Sequence, residues 1–353
     1  MSSVTYRTSR RGALVLCVAT ALILSACGAS SSNNTAASTP LTKVKILTGY
    51  LWAQSQYYSQ YLLGIDKGFY AAEGLDVSFD EGHGSGSGSQ LIANGQYDFG
   101  VSIASGAAIR AISKGAAIKM VASFLNVNPI GIISKKSSSL NSPSDLVGKK
   151  IGMPPGTEQA SIWPAFLAKN NLTSSQVPLI SINADALPAA LATGKIDGYV
   201  SYAFDLPGIK SATGIDTKIM EFSDNGVVYA PGEGLVASQK IISQNPGLVT
   251  RLTRALIKSV VYSFCHPGEA ADSGAKYYPD AMGDKSATVA TFAIYDAVIA
   301  APIKQGTLFP SSDSEIQATL TLLTQYTGLT GTKAPSDYYT NQFLPNPAPK
   351  PSC

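Results

Sequence analysis

Histidine is nearly missing from this chain. His83 and His266 are the only two in 353 residues, and they stand at no metal-ligand spacing. A histidine followed by proline, as at His266-Pro267, reads as a helix-end cap or a surface residue. There is no Gly-x-Ser-x-Gly elbow and no Gly-Lys-Ser/Thr phosphate loop. The acid pair Asp80-Glu81 reads as a solvated strand end and not as an acid–base dyad. With so few groups able to move protons or electrons, no catalytic residue, metal site or cofactor is expected. Excess charge is missing too. The formal +3 is carried by Arg7, Arg10 and Arg11, and taking these three from the 26 bases leaves 23, equal to the 23 acids. A neutral body lacks the concentrated basic face that a nucleic-acid partner needs.

Cysteine is scarce: Cys17, Cys27, Cys265 and Cys353. The first two lie in a leader. Arg7, Arg10 and Arg11 precede an apolar run over residues 13–24 that is too short for a stable membrane anchor. It ends in Leu24-Ser25-Ala26-Cys27, which resembles the bacterial lipobox. That resemblance implies a signal peptide over residues 1–26, cleavage before Cys27 and lipidation of its thiol. Ser9-Arg10-Arg11-Gly12-Ala13-Leu14 partly resembles a twin-arginine export signal but lacks the expected Phe at Ala13. Residues 28–40 carry no charge and no aromatic group, so residues 27–42 read as a lipidated cysteine and a flexible tether. Outside the cytoplasm two free thiols are unusual, which favours a Cys265–Cys353 disulfide pinning the C-terminal tail to a helix. The alternative is a buried Cys265 and a frayed terminus. No second membrane-length apolar run is read after residue 41, so the body is expected to be soluble.

What the chain does have is a glycine-rich stretch between a strand and a helix. Gly68 stops a helix, and Leu75, Val77 and Phe79 then alternate with Asp76, Ser78 and Asp80 in the period of a strand. Gly82, Gly84, Gly86 and Gly88 follow, interleaved with His83, Ser85 and Ser87. This predicts a loop whose backbone approaches a small molecule closely, with serine hydroxyls adding donors. The alternative is a floppy surface loop. The run lacks the Gly-x-Gly-x-x-Gly spacing of a dinucleotide site and follows the second strand of its unit.

Strands and helices alternate on both sides of that stretch, predicting parallel sheets with helices on their faces. A strand over residues 43–47 leads into a polar-aromatic loop with Trp52, Gln54, Gln56, Tyr57 and Tyr58, placed where α/β folds hold ligands. Equally, Tyr57, Tyr58 and Tyr61 are the packing side of a helix. Thr157 reads as the N-cap of a helix whose free amides suit an anion or carbonyl oxygen. Residues 93–101 and 192–200 match at Ala, Gly, Asp and Val, with an apolar residue before each Asp, and the echo suggests two similar α/β lobes. From Asn245-Pro246 onward the pattern is helical, and these helices are expected to pack back on the first lobe. A Pro-rich tail closes the chain.

These residues resemble the solute-binding lipoproteins of ABC importers, in the nitrate/taurine/sulfonate and thiamine-pyrimidine-precursor superfamily. The resemblance rests on Lys67-Gly68-Phe69-Tyr70 with Glu73-Gly74-Leu75-Asp76-Val77, the glycine loop with Asp98-Phe99-Gly100, residues 145–152, and Asn245-Pro246 with its long helix. It implies an α/β, two-lobe periplasmic-binding-protein-like fold of type II. Lobe 1 would comprise residues 43–129 and 232–344, lobe 2 residues 130–231, with residues 345–353 as tail. It also implies a monomer, extracytoplasmic and lipid-anchored through Cys27, that closes on a small-molecule solute and delivers it to an ABC permease. Carried over by position, ligand contacts fall to Trp52, Gln56, Tyr57 and Tyr58; to Ser85, Gly86 and Ser87; and to Ser102 and Ser105. The second lobe would add Gly156, Thr157, Tyr199, Ser201 and Tyr202, with Asn128 and Tyr229 near the crossings. The pyrimidine-precursor branch has a turn like Gly-Tyr-Trp-x-Asn-Glu where this chain has Gly198-Tyr199-Val200-Ser201-Tyr202-Ala203, which puts that ligand in doubt. Aromatic faces, neutral hydrogen bonders and no obvious arginine favour a flat, neutral heteroaromatic or amide-bearing solute stacked on Trp52 or a tyrosine. A small sulfonate or nitrate is the competing ligand. An enzyme like the yeast-type pyrimidine synthase is disfavoured, because the cysteine-rich segment and histidines it needs are missing.

Overall fold

The computed structural model describes residues 40–228, 230–282 and 284–353. The leader, Cys27 and Tyr229 lie outside the described residues.

Among the described residues, ten strands form two five-stranded sheets. The first contains β1 (Thr42–Thr48), β2 (Leu75–Asp80), β3 (Phe99–Ala104), β4 (Ile118–Ser123) and the late strand β10 (Glu233–Ser238). The second contains β5 (Ile130–Lys135), β6 (Ile151–Met153), β7 (Leu179–Ser181), β8 (Gly198–Tyr202) and β9 (Thr217–Glu221). Their orders, β2-β1-β3-β10-β4 and β7-β6-β8-β5-β9, are the same pattern. In each sheet three strands run parallel, and a fourth lies antiparallel to its neighbours on both sides. This is a two-lobe α/β fold in which the chain passes from one sheet to the other after β4 and returns after β9. β2 has one buried face, Leu75, Val77 and Phe79, as its alternation requires. β3 is buried along its whole length, as expected of a central strand covered on both faces.

The echoed segments occupy matching places. Gly95 and Gly194 end their helices at φ 77° and 76°, in the left-handed region open to glycine. Asp98 and Asp197 then tie the following strand to its neighbour. Asp98 accepts from the Ser238 hydroxyl at 3.1 Å, and Asp197 accepts from the Lys150 amide at 2.8 Å.

The glycine-rich stretch is not one loop. The helix Ser85–Ala93 begins inside it, so Gly86 and Gly88 are helical. Glycine is needed there for close approach. A Cβ on Gly86 would sit 3.1 Å from the Gly156 carbonyl oxygen of the other lobe, and one on Gly88 would sit 3.1 Å from Ile103 Cδ1.

The C-terminal helices depart from expectation in one respect. Pro246–Cys265, with Asn245 Oδ1 accepting from the Leu248 amide at 3.1 Å, and Pro267–Tyr277 both pack on Ser59–Asp66 of lobe 1. The next two helices also reach lobe 2. Lys285–Gln305 lies against Leu206–Thr213, and Asp313–Thr327 lies against Glu158–Lys169. The reason is apolar area: Ile316, Leu320 and Leu323 share one buried cluster with Ile162, Trp163 and Phe166. Lys285–Gln305 is also the one described helix long and apolar enough to cross a membrane, a run not read as such in the sequence. Here Phe292, Tyr295, Ile299 and Ile303 of that helix are buried in the core.

Cys265 and Cys353 form a disulfide spanning a sequence separation of 88 residues, which fastens the tail to the end of the long helix. Closing a loop of that length restricts the unfolded chain, a contribution of about 2–5 kcal/mol. A double Cys265→Ser, Cys353→Ser variant is expected to unfold at lower denaturant by about that free energy. In a denatured chain beginning after Cys27, thiol titration without reductant should find no reactive cysteine; two reactive thiols would refute the bridge.

Candidate functional site

The strand ends of the two lobes face each other, and the contact between them is aromatic. Phe204 sits in a short turn after β8 and is 1% exposed. Its ring enters the core of lobe 1, 4.3 Å from Tyr57, and stacks on Tyr202 at 5.1 Å. Two openings remain beside it.

The narrower one, about 10 Å³, is lined by Tyr58, Ser85, Ser102, Thr157, Glu158, Gln159, Tyr202 and Glu233 among others. Five of the sequence-predicted residues are therefore brought together across the lobes. Ser102 holds φ 53°, an uncommon conformation for a residue with a side chain. Its hydroxyl lies 2.8 Å from the Tyr61 hydroxyl. Ser85 Oγ accepts from the Ala104 amide at 3.0 Å. Thr157 caps Glu158–Lys169 by accepting from the Ala160 amide at 3.4 Å. Gly156, at φ 72°, presents its carbonyl to Gly86, and Ser87 turns inward to donate to the Gly84 carbonyl at 2.8 Å.

The wider opening is a cavity of about 320 Å³ lined by Tyr50, Gln56, Gln159, Tyr199, Ser201, Phe204, Asp205 and apolar residues such as Leu187, Val200 and Ile209. Gln56, Tyr199 and Ser201 were read from the sequence as contacts. Gln159, Asp205 and Tyr50 were not. Among the described residues that line either opening there is no lysine or arginine.

Four predicted residues are placed elsewhere. Trp52 is fully buried with its ring stacked on Tyr278 at 4.4 Å, so it offers no free face to a solute. Tyr57 is packed between Phe204 and Tyr295, with its hydroxyl donating to Glu233 at 2.8 Å. Of the tyrosines for which packing was the alternative, Tyr57 is packed and Tyr58 lines the narrow opening. Ser105 and Asn128 hold the return crossing: the Ser105 hydroxyl donates to the Pro231 carbonyl and Asn128 Nδ2 to the Gly232 carbonyl at 3.1 Å.

Among the carboxyl groups not read as site residues are Glu233 and Asp205. Glu233 opens β10 at 3% exposure. Burial pushes it up to about 7, against the opposing effect of the Tyr57 and Ser102 hydroxyls. Burial likewise raises Asp205 to about 7, although Ser201 and the Tyr202 amide both bond to it. The signal for each was an acid set in an apolar or aromatic context, Gly-Glu-Gly-Leu-Val-Ala and Tyr-Ala-Phe-Asp, which periodicity alone does not flag.

A two-lobe α/β body with a cavity between strand ends is the architecture of ABC-type substrate-binding proteins. The chain belongs to the NMT1/THI5 like family, which matches residues 55–270. It is 26% identical over 287 residues to the riboflavin-binding protein RibY of Chloroflexus aurantiacus, covering 77% of this chain and 80% of that one. It is 31% identical over 101 residues to the 4-amino-5-hydroxymethyl-2-methylpyrimidine phosphate synthase of Legionella pneumophila, covering 29% of this chain and 32% of that enzyme. Its fold matches that of the alkanesulfonate-binding protein SsuA from Xanthomonas axonopodis pv. citri bound to MOPS, with a TM-score of 0.64, 14% identity, and coverage of 86% of this chain and 100% of that one.

Glu233 has a folded-state value above its unfolded one, so the stability its protonated form brings is complete below about pH 4 and is lost as the pH rises through about 7. Denaturant unfolding at about pH 5 and about pH 9 is expected to show Glu233→Gln removing roughly 1–3 kcal/mol of that pH-dependent loss. An unchanged pH dependence would show that the carboxyl is not desolvated.

Proposed function

We propose that this protein is the extracytoplasmic solute receptor of an ABC importer, exported by a signal peptide over residues 1–26 and held to the membrane through a lipidated Cys27. Residues 43–129 with 232–344, and residues 130–231, act as lobes that separate about the two crossings and close on a solute for delivery to a permease. The solute is a small, flat heteroaromatic or amide-bearing molecule. The observation that carries this reading is the cavity of about 320 Å³ lined by amides, tyrosines and a buried carboxyl. Its size falls at the small end of ligand pockets. The riboflavin-binding relative, similar over most of both chains, supports a ring-bearing solute.

A small sulfonate is the second reading. It is favoured by the approach of two helix N-termini, Ser85–Ala93 and Glu158–Lys169, at Gly86 and Gly156. Against it stands Glu233 at the same place, because a buried anion gains nothing from a neighbouring acid.

Isothermal calorimetry against a heteroaromatic panel and a sulfonate panel separates the two. Heat and saturation with at least one heteroaromatic solute, recovered unchanged by mass spectrometry, are expected. Tight sulfonate binding with no heteroaromatic response would overturn the first reading, and a chemically altered product would make the protein an enzyme.

A further inference from the structure

We infer that Asp205 is the specificity-determining residue of the cavity, and that it admits solutes presenting an ammonium or N–H donor while turning away anions. This rests on the solute-receptor reading and names the chemistry of the same site. The first support is position. Phe204, buried against Tyr57, fixes the turn that follows β8, so its neighbour Asp205 is delivered to the cavity wall. The second is how its oxygens are used. The Ser201 hydroxyl and the Tyr202 amide, the latter at 3.2 Å, both bond to Oδ2. Oδ1 has no hydrogen-bond partner among the described residues, and a half-buried carboxylate with an open oxygen and no counter-ion gains most from a charged or strongly polarised N–H.

The polar groups opposite fit the same kind of ligand. Gln159 is 4% exposed, lines the cavity and has no side-chain hydrogen bond among the described residues. Gln56 enters from lobe 1, 7% exposed, and accepts from Thr288 through Oε1 at 3.3 Å, leaving Nε2 free. Two amides from opposite lobes can each donate or accept, so they suit ring nitrogens, carbonyls or hydroxyls on the rest of the solute. The Tyr50 hydroxyl is close enough to Asp205 and Asp185 for both acids to resist its ionisation, as burial does more strongly. It therefore stays a neutral donor and adds no negative charge. Leu187, Val200 and Ile209 supply apolar walls for a ring.

The test uses one ring and three charges: 3-pyridylmethylamine, 3-pyridylmethanol and 3-pyridylmethanesulfonate, titrated into the protein by calorimetry at low ionic strength and about pH 8, above the value of about 7 to which Asp205 is raised, so that it is met as a carboxylate. The amine is expected to bind at least about 10-fold tighter than the sulfonate, a difference of about 1.4 kcal/mol. Asp205→Asn keeps an acceptor for Ser201 and the Tyr202 amide, and is expected to lower amine affinity about 10-fold while leaving the alcohol unchanged. Asp216→Asn, a surface acid paired with Lys210, makes the same change in net charge and is expected to leave the ranking intact. If Asp205→Asn does not fold, the ranking of the three probes on the unaltered protein decides. Sulfonate binding equal to or tighter than the amine, or amine affinity unchanged in Asp205→Asn, overturns the role of Asp205 and leaves the receptor reading standing. Binding of none of the three overturns both.

Discussion

The insertion of Phe204 into the core of lobe 1 is the contact on which the cleft depends. A side chain from the turn after β8 is buried among Tyr57, in the loop after β1, and Tyr295, on the helix Lys285–Gln305, an apolar contact worth about 1.5–3 kcal/mol by area. Together with the helices Lys285–Gln305 and Asp313–Thr327, which also touch lobe 2, that contact joins the lobes, and the two openings lie beside it. On one side the backbone of Ser85 and Gly86 closes on Gly156, and the opening shrinks to a slot. On the other a cavity survives, walled by Tyr199, Ser201 and Asp205.

Carboxyl groups are the second constraint. Glu233, buried, and Asp205, half-buried, lie close to the plug, and neither has a basic partner among the described residues. Each is instead held by hydroxyl or backbone donors and displaced toward its protonated form. A cleft built this way is polar without being cationic. It differs in kind from one lined by arginine.

Much of the framework was legible in the chain. The two-residue period of β2, the helix stop at Gly68, the Asn245 cap and the Gly–Asp echo are local signals, set by backbone sterics and by hydrogen bonds between near neighbours. They led to a two-lobe α/β fold and to the loops that face each other. The aromatic loop was harder to read. Trp52 and Tyr57 have the composition of a stacking platform, yet the coordinates bury both, because a ring fully enclosed by other rings gains more from packing than one left at a wet surface. The reach of the last two long helices across to lobe 2 was equally hidden, since a helical apolar stripe does not name its partner.

The sequence by itself determined the alternation of strands and helices, that two units share one plan, and that catalytic groups are scarce and the charge balanced. Periodicity, capping and composition are properties of neighbouring residues, and they survive without a fold. Only the tertiary structure decided which side chains meet across the lobes: that Phe204 fills the core, that Asp205 and Gln159 face the cavity, and that Ser105 and Asn128 serve the crossing. Those outcomes depend on burial and on distances between residues far apart in the chain, and no local pattern encodes them.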